Sequence, residues 1–301
     1  MNKRIGLVLA LLVLFMGVVG NDIKASAAPA EKKAILVVSF GTTFPDTLKT
    51  TIESTENKIR AAFPDYEVRR AFTSRIIIQR LFERDQVKIE TEREALLRLK
   101  AEGYKEVIVQ PLHIVAGAEY DKIKGIVSHL KQENAFERIE LGRPLLYYPG
   151  VEGHPDDYTI AIDAVKQQFP QLGRRDAVVF MGHGGPHPAN AAYATLQLKF
   201  AANGLDNVFI YTVEGYPDLD WVLEKLQETN RRKVTLMPFM LVAGDHANND
   251  MAGDEEDSGK SILQAAGFKA DTFVKGLGEN PAIQDIYVQH IKDAIAAEEA
   301  E

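Results

Sequence analysis

Five short stretches of the chain, 34–39, 106–112, 177–181, 207–213 and 233–239, are apolar almost without interruption. A strand with one wet face alternates apolar and polar positions. A strand covered on both faces does not, so these runs predict buried strands. Between them the period changes. Stretches 46–63, 92–101, 118–130, 158–169, 192–202, 218–228 and 282–296 carry apolar residues at helical spacing, as Leu48, Ile52, Ile59 and Phe63 do in the first. Strand and helix in alternation predict βαβ units and hence an α/β fold with parallel sheets flanked by helices.

The pattern also occurs twice. ILVVSFGTT at 35–43 lies on VVFMGHGGP at 178–186, EVRRAFTS at 67–74 on FIYTVEGY at 209–216, and VQPLHIVAGAEY at 109–120 on LMPFMLVAGDHA at 236–247. Three matched segments in one order predict two similar Rossmann-like halves. The boundary falls at the turn-like Tyr148-Pro149-Gly150, giving halves of 28–150 and 151–301, with the last helix a candidate to cross back onto the first half.

The first residues follow another logic. Lys3 and Arg4 precede an apolar stretch from Ile5 to Val19, and Ala25-Ser26-Ala27 gives a small-residue cleavage site. This is the pattern of a secretory signal peptide over 1–27, too short in its apolar part for a membrane span of about 20 residues. The expected product is a periplasmic chain of about 274 residues that no longer touches the membrane. Removing Lys3, Arg4, Lys24 and Asp22 leaves 32 basic against 42 acidic residues, a formal charge of −10. So acidic a chain is a poor nucleic-acid binder. With no cysteine, the fold is held without disulfides.

In open α/β sheets ligands bind outside the carboxyl ends of the strands. In the second half three such ends carry distinctive residues: His183 after VVFMG, Glu214 after FIYTV, and His246 after MPFMLVAGD. Spacings of 31 and 32 residues match one βαβ crossover each, which sets neighbouring strand ends side by side. Imidazole and carboxylate suit a borderline divalent metal and also move protons near neutral pH. Each residue taken singly has an ordinary role open to it, as turn residue, loop carboxylate or cap neighbour. The first half holds Phe40, Thr73 and Glu119 in their places, so the chemistry is expected on one side of the cleft. His187 reads as a rim residue, His113 as a hydrogen-bonded core histidine, and His129, His154 and His290 as surface residues. Arg69, Arg70, Arg75 and Arg80 are either a solvated face or receivers of substrate carboxylates. SFGTT lacks the P-loop lysine, so no nucleotide or other organic cofactor is expected.

The ordered set SFGTT, RAFTS, QPLHIVAGAEY, GHGGPHP, VEGYP and MLVAGDHANNDMAG resembles the anaerobic sirohydrochlorin cobaltochelatases of the class II tetrapyrrole chelatase family, over about 33–295. The resemblance implies a chelatase-like fold with the active-site cleft between the halves. It implies insertion of Co(II), with Fe(II) also open, into the tetrapyrrole sirohydrochlorin. It places His183, Glu214 and His246 at the family's metal site, and the metal is then substrate rather than resident cofactor. Self-association into a homo-oligomer is also expected. Export is a departure from these cytoplasmic enzymes. It keeps two other readings open: an exported metal- or tetrapyrrole-binding carrier without turnover, and a two-lobed solute-binding protein.

Overall fold

The computed structural model describes residues 31–297; the expected signal peptide at 1–27 lies outside them. The strands are β1 (Lys33–Ser39), β2 (Glu67–Phe72), β3 (Glu106–Pro111), β4 (Arg138–Leu141), β5 (Asp176–Gly184), β6 (Val208–Glu214), β7 (Lys233–Pro238) and β8 (Lys269–Thr272). The helices are α1 (Pro45–Leu48), α2 (Ser54–Ala62), α3 (Arg75–Asp85), α4 (Glu92–Ala101), α5 (Ala118–Gln132), α6 (Asp157–Lys166), α7 (Ala191–Ala202), α8 (Leu219–Glu228), α9 (Gly259–Ala265) and α10 (Pro281–Ala296). Two four-stranded sheets result, ordered β2-β1-β3-β4 and β6-β5-β7-β8, with every pairing parallel. The same order built twice is the structural form of the internal repeat.

Continuous apolar runs are required because each strand feeds two cores. In β1, Ile35 and Val37 face an inner layer, while Ala34, Leu36 and Val38 face an outer layer built with Leu96 and Leu99 of α4 and Ile123 and Val127 of α5. In β5, Val178 and Phe180 face the same inner layer, and Ala177, Val179 and Met181 pack outward with Val222 and Leu226 of α8 and Leu263 of α9. The inner layer is therefore common to both sheets. It holds Ile52 and Ile59, α6 through Ile162 and Val165, α7 through Leu196 and Phe200, and α10 through Ile283, Tyr287 and Ile291.

α10 ends the chain of the second half yet is bonded into the first. The Tyr287 hydroxyl donates to the Leu112 carbonyl at 3.0 Å, Gln284 Nε2 to Ser54 Oγ at 2.9 Å, and Arg138 to the Ala294 carbonyl at 3.2 Å. It also contradicts one sequence expectation: His290 is buried, not on the surface. Its Nδ1 donates to the Arg143 carbonyl at 3.0 Å, and its Nε2 lies 3.5 Å from Asp157. Asp157 in turn holds the Arg143 guanidinium at 2.9 Å and accepts the Tyr148 amide at 2.9 Å. These bonds lower the Asp157 carboxyl below the ordinary range against a desolvation that alone would raise it. The segment passing from one sheet to the other is thus locked to α10.

Candidate metal site at the strand ends

β5 ends in Gly-His-Gly-Gly, and the glycines are there for close approach. A Cβ on Gly184 would lie 2.7 Å from the Glu214 carbonyl, and the residue has φ +78°. With glycine, the end of β5 lies directly against the end of β6, Gly184 opposite Glu214. His183 is left exposed at the strand end. The Tyr193 ring packs under Gly182, where a Cβ would come within 2.5 Å of it. Burial pushes the Tyr193 hydroxyl up to about 12, although the backbone amides of Gly184 and His183 work against it.

His246 reaches the same place from β7. It begins a helical turn over Ala247–Met251, and its ring stands 4.9 Å from the His183 ring, centroid to centroid, at 90°. Both imidazoles are committed at Nδ1. That of His183 donates to the Gly184 carbonyl at 3.1 Å, and that of His246 to the carboxylate of Asp250. With Nδ1 carrying the proton, Nε2 of each ring has its lone pair free, which is the form in which histidine binds a metal.

Glu214 is the last residue of β6 and is exposed beside this pair. It does not close a cluster with them: among the described residues no three of His, Cys, Asp or Glu are grouped so as to hold a metal ion. The structure therefore assembles two of the three expected residues and sets the third at the adjoining strand end.

Two further residues, which the pattern of strand ends did not single out, interact with the pair. Asp250 sits four residues after His246, one helical turn on, and fixes its tautomer. Glu119, in the first turn of α5 on the opposite half, has its carboxyl raised above the ordinary range. Burial is the main cause, with buried Glu92 adding to it and the charges of His183 and Lys122 opposing. The alignment of the halves had already set Glu119 over His246.

Other expectations need correction or refinement. His113 is not hydrogen-bonded: both ring nitrogens are shut off from solvent without a partner, and burial drives the imidazole down to about 4. Arg69 and Arg70 are not free for substrate. Arg69 pairs with Glu67 and Glu102, and Arg70 with Glu53 and Glu56. His187 bonds Asp121 of α5 at 3.1 Å. No helix of the described residues is long and apolar enough to cross a membrane.

Residues 33–296 match the family model for cobalt chelatase (CbiK). The sirohydrochlorin cobaltochelatase of Salmonella typhimurium is 45% identical over 271 residues, covering 89% of this chain and 99% of that one. The sirohydrochlorin cobaltochelatase CbiKC of Nitratidesulfovibrio vulgaris is 35% identical over 271 residues, 89% of this chain and 93% of the other. Among solved structures, SirB from Bacillus subtilis with Fe3+ shares the fold with a TM-score of 0.59 at 16% identity, covering 90% of this chain and 98% of that one.

Proposed function

This chain belongs to the cobalt chelatase (CbiK) family, and from that premise we propose that it inserts Co(II) into sirohydrochlorin. The reaction exchanges two pyrrole protons for one divalent cation. It needs a place to hold the cation, a surface for the macrocycle, and a base for the protons.

The paired imidazoles supply the first. The single observation that carries this assignment is their common state: both Nδ1 atoms are satisfied and both Nε2 lone pairs are open, on rings 4.9 Å apart. A metal–nitrogen bond is about 2.1 Å long, so rings this close can share one ion. Glu214 at the next strand end is in position to accompany the cation as it sheds water. Phe40, half exposed at the end of β1, offers an apolar face for the ring. Glu119, with its raised proton affinity, receives a proton displaced from the macrocycle. The same donor set accepts Fe(II), which we propose as a secondary substrate. No organic cofactor enters the scheme. We also propose that the chain is exported and acts in the periplasm. The support is the charged, apolar and small-residue order of its first 27 residues.

The test is anaerobic turnover of sirohydrochlorin with Co(II), followed by the absorbance change on metallation. The parent protein is expected to metallate many equivalents. His183→Ala and His246→Ala are expected to fold and to lose activity by about a hundredfold or more, since removing a ligand costs at least as much as removing its supporting partner. Near-parental turnover in either variant would refute the metal assignment.

A further inference from the structure

We propose that Asp121 and His187 form a strut that holds the α5 turn bearing Glu119 in place against the strand end bearing His183. The inference rests on the metal assignment above and adds two positioning residues to it.

His183 stands at the end of β5, between Gly182 opposite Thr212 and Gly184 opposite Glu214, so the sheet holds its backbone. The loop that follows leaves the sheet through Gly184 and Gly185, at φ +78° and +144°, and the His183 side-chain bond runs only to the carbonyl of its own neighbour, so it gives that loop no further anchor. The loop is held instead at two points beyond the glycines. Asn190 Nδ2 donates to the Tyr216 carbonyl at 2.7 Å, pinning it to the segment that follows Glu214. His187 pins it to the other half of the molecule: its Nε2 lies 3.1 Å from Asp121 Oδ2, in the first turn of α5 and two residues past Glu119. The direction of this second bond is fixed. His187 Nδ1 accepts the Ala189 amide at 3.2 Å, so the ring proton is on Nε2 and is donated to Asp121. The neutral imidazole suffices, and no titration is needed.

The turn bearing Glu119 and the loop that follows His183 are thus joined by one hydrogen bond between residues 66 apart in sequence. Both partners are partly exposed, 34% for His187 and 58% for Asp121, so the bond contributes little to global stability. Its consequence is local. When it is cut, the α5 turn is free to carry Glu119 away from the strand end that bears His183.

The variants are Asp121→Ala, His187→Ala, the double variant, and two that keep the bond: Asp121→Asn, whose amide oxygen still accepts, and His187→Gln, whose amide nitrogen still donates. Turnover is expressed per Co(II)-binding site, counted by titration without macrocycle, so that loss of folded protein does not enter. Each alanine variant is expected to lower kcat about fivefold, the effect of one hydrogen bond. The KM for sirohydrochlorin and the Co(II) affinity should stay within about twofold of the parent. The double variant should be no worse than the worse single, and the Asn and Gln variants should run near the parent. Unchanged kcat, multiplicative losses in the double variant, or no rescue by Asn and Gln would overturn the strut. His183→Ala is measured alongside. Parental turnover there refutes the metal assignment itself; an inactive His183→Ala with a parental Asp121→Ala refutes the strut alone.

Discussion

Asp250 offers a test of how the proposed cation site is tuned without touching a ligand. Its carboxylate accepts the Nδ1 proton of His246 and so both orients the ring and makes its Nε2 a better base. Removing such a partner costs ten- to a hundredfold in metal affinity. Asp250 is 49% exposed and His246 38%, so water weakens the interaction and places the expected loss at the lower end. Asp250→Ala should therefore weaken Co(II) binding about tenfold, equivalent to about 1.4 kcal/mol. Asp250→Asn separates geometry from charge. Its amide oxygen can still take the proton and hold the tautomer, but a neutral acceptor gives roughly half the strength of a charged one. About half the free energy, and a loss of about threefold, is then expected. The assay is a Co(II) titration at pH 7 in the absence of macrocycle, read from the cobalt d–d bands and by calorimetry. Binding by Asp250→Ala within twofold of the parent would refute the reasoning. So would an Asn variant as weak as the Ala variant, since the ring would then not depend on where its proton is held.

The unpartnered His113 predicts an acid limb of stability. Unfolded, the ring binds a proton near 6.5, whereas the buried ring refuses it until about 4. Stability is therefore full above about pH 6.5 and is lost as pH falls toward 4, by about 3 kcal/mol. His113→Met, the residue at the equivalent position 240 of the second half, should flatten that limb in urea unfolding measured from pH 7 to 4; an unchanged slope would mean that the ring is already satisfied. Export predicts a mature chain beginning at Ala28 in the periplasmic fraction, to be read by intact mass; a full-length protein in the cytoplasm would exclude it.

The parts of the fold that the sequence revealed are those where burial leaves one unambiguous pattern. β1, β3, β5, β6 and β7 are flanked by helices on both faces and read as apolar runs. β4 and β8 are four-residue edge strands, RIEL and KADT, too short and too wet to carry a period. β2 was visible through the repeat and not through hydrophobicity, because Arg69 and Arg70 occupy its middle and are neutralised by ion pairs. α3 was missed for a related reason: Ile76 and Phe82 are exposed, so its apolar residues do not trace one buried face. His290 shows the opposite failure. A helix at the surface buries one stripe, but α10 is enclosed by both halves and buries Gln284, Tyr287, Val288 and His290 together. The site was legible to the extent that strand order makes it so. His183 and His246 were brought together by consecutive crossovers, whereas the Asp250 bond depends on a local helical turn, and the charge of His183 felt at Glu119 depends on the approach of the other half.

Two halves built alike need not share the work alike, and metal insertion gives a reason why they should not. A nitrogen that holds a proton cannot hold a metal, so an imidazole that took up the protons leaving the macrocycle would lose its cation. The base must be a separate group, and it is best placed on the far side of the cleft from the ligands. In the proposed scheme the first half meets that need at the position where the second half has His246. Glu119 stands there, with burial raising its affinity for a proton, while the position of His183 is filled by Phe40, which binds neither metal nor proton and leaves an apolar face. The difference between the halves is in this sense the mechanism we propose: one side retains lone pairs for the cation, the other removes protons, and the flat ring between them exchanges one for the other.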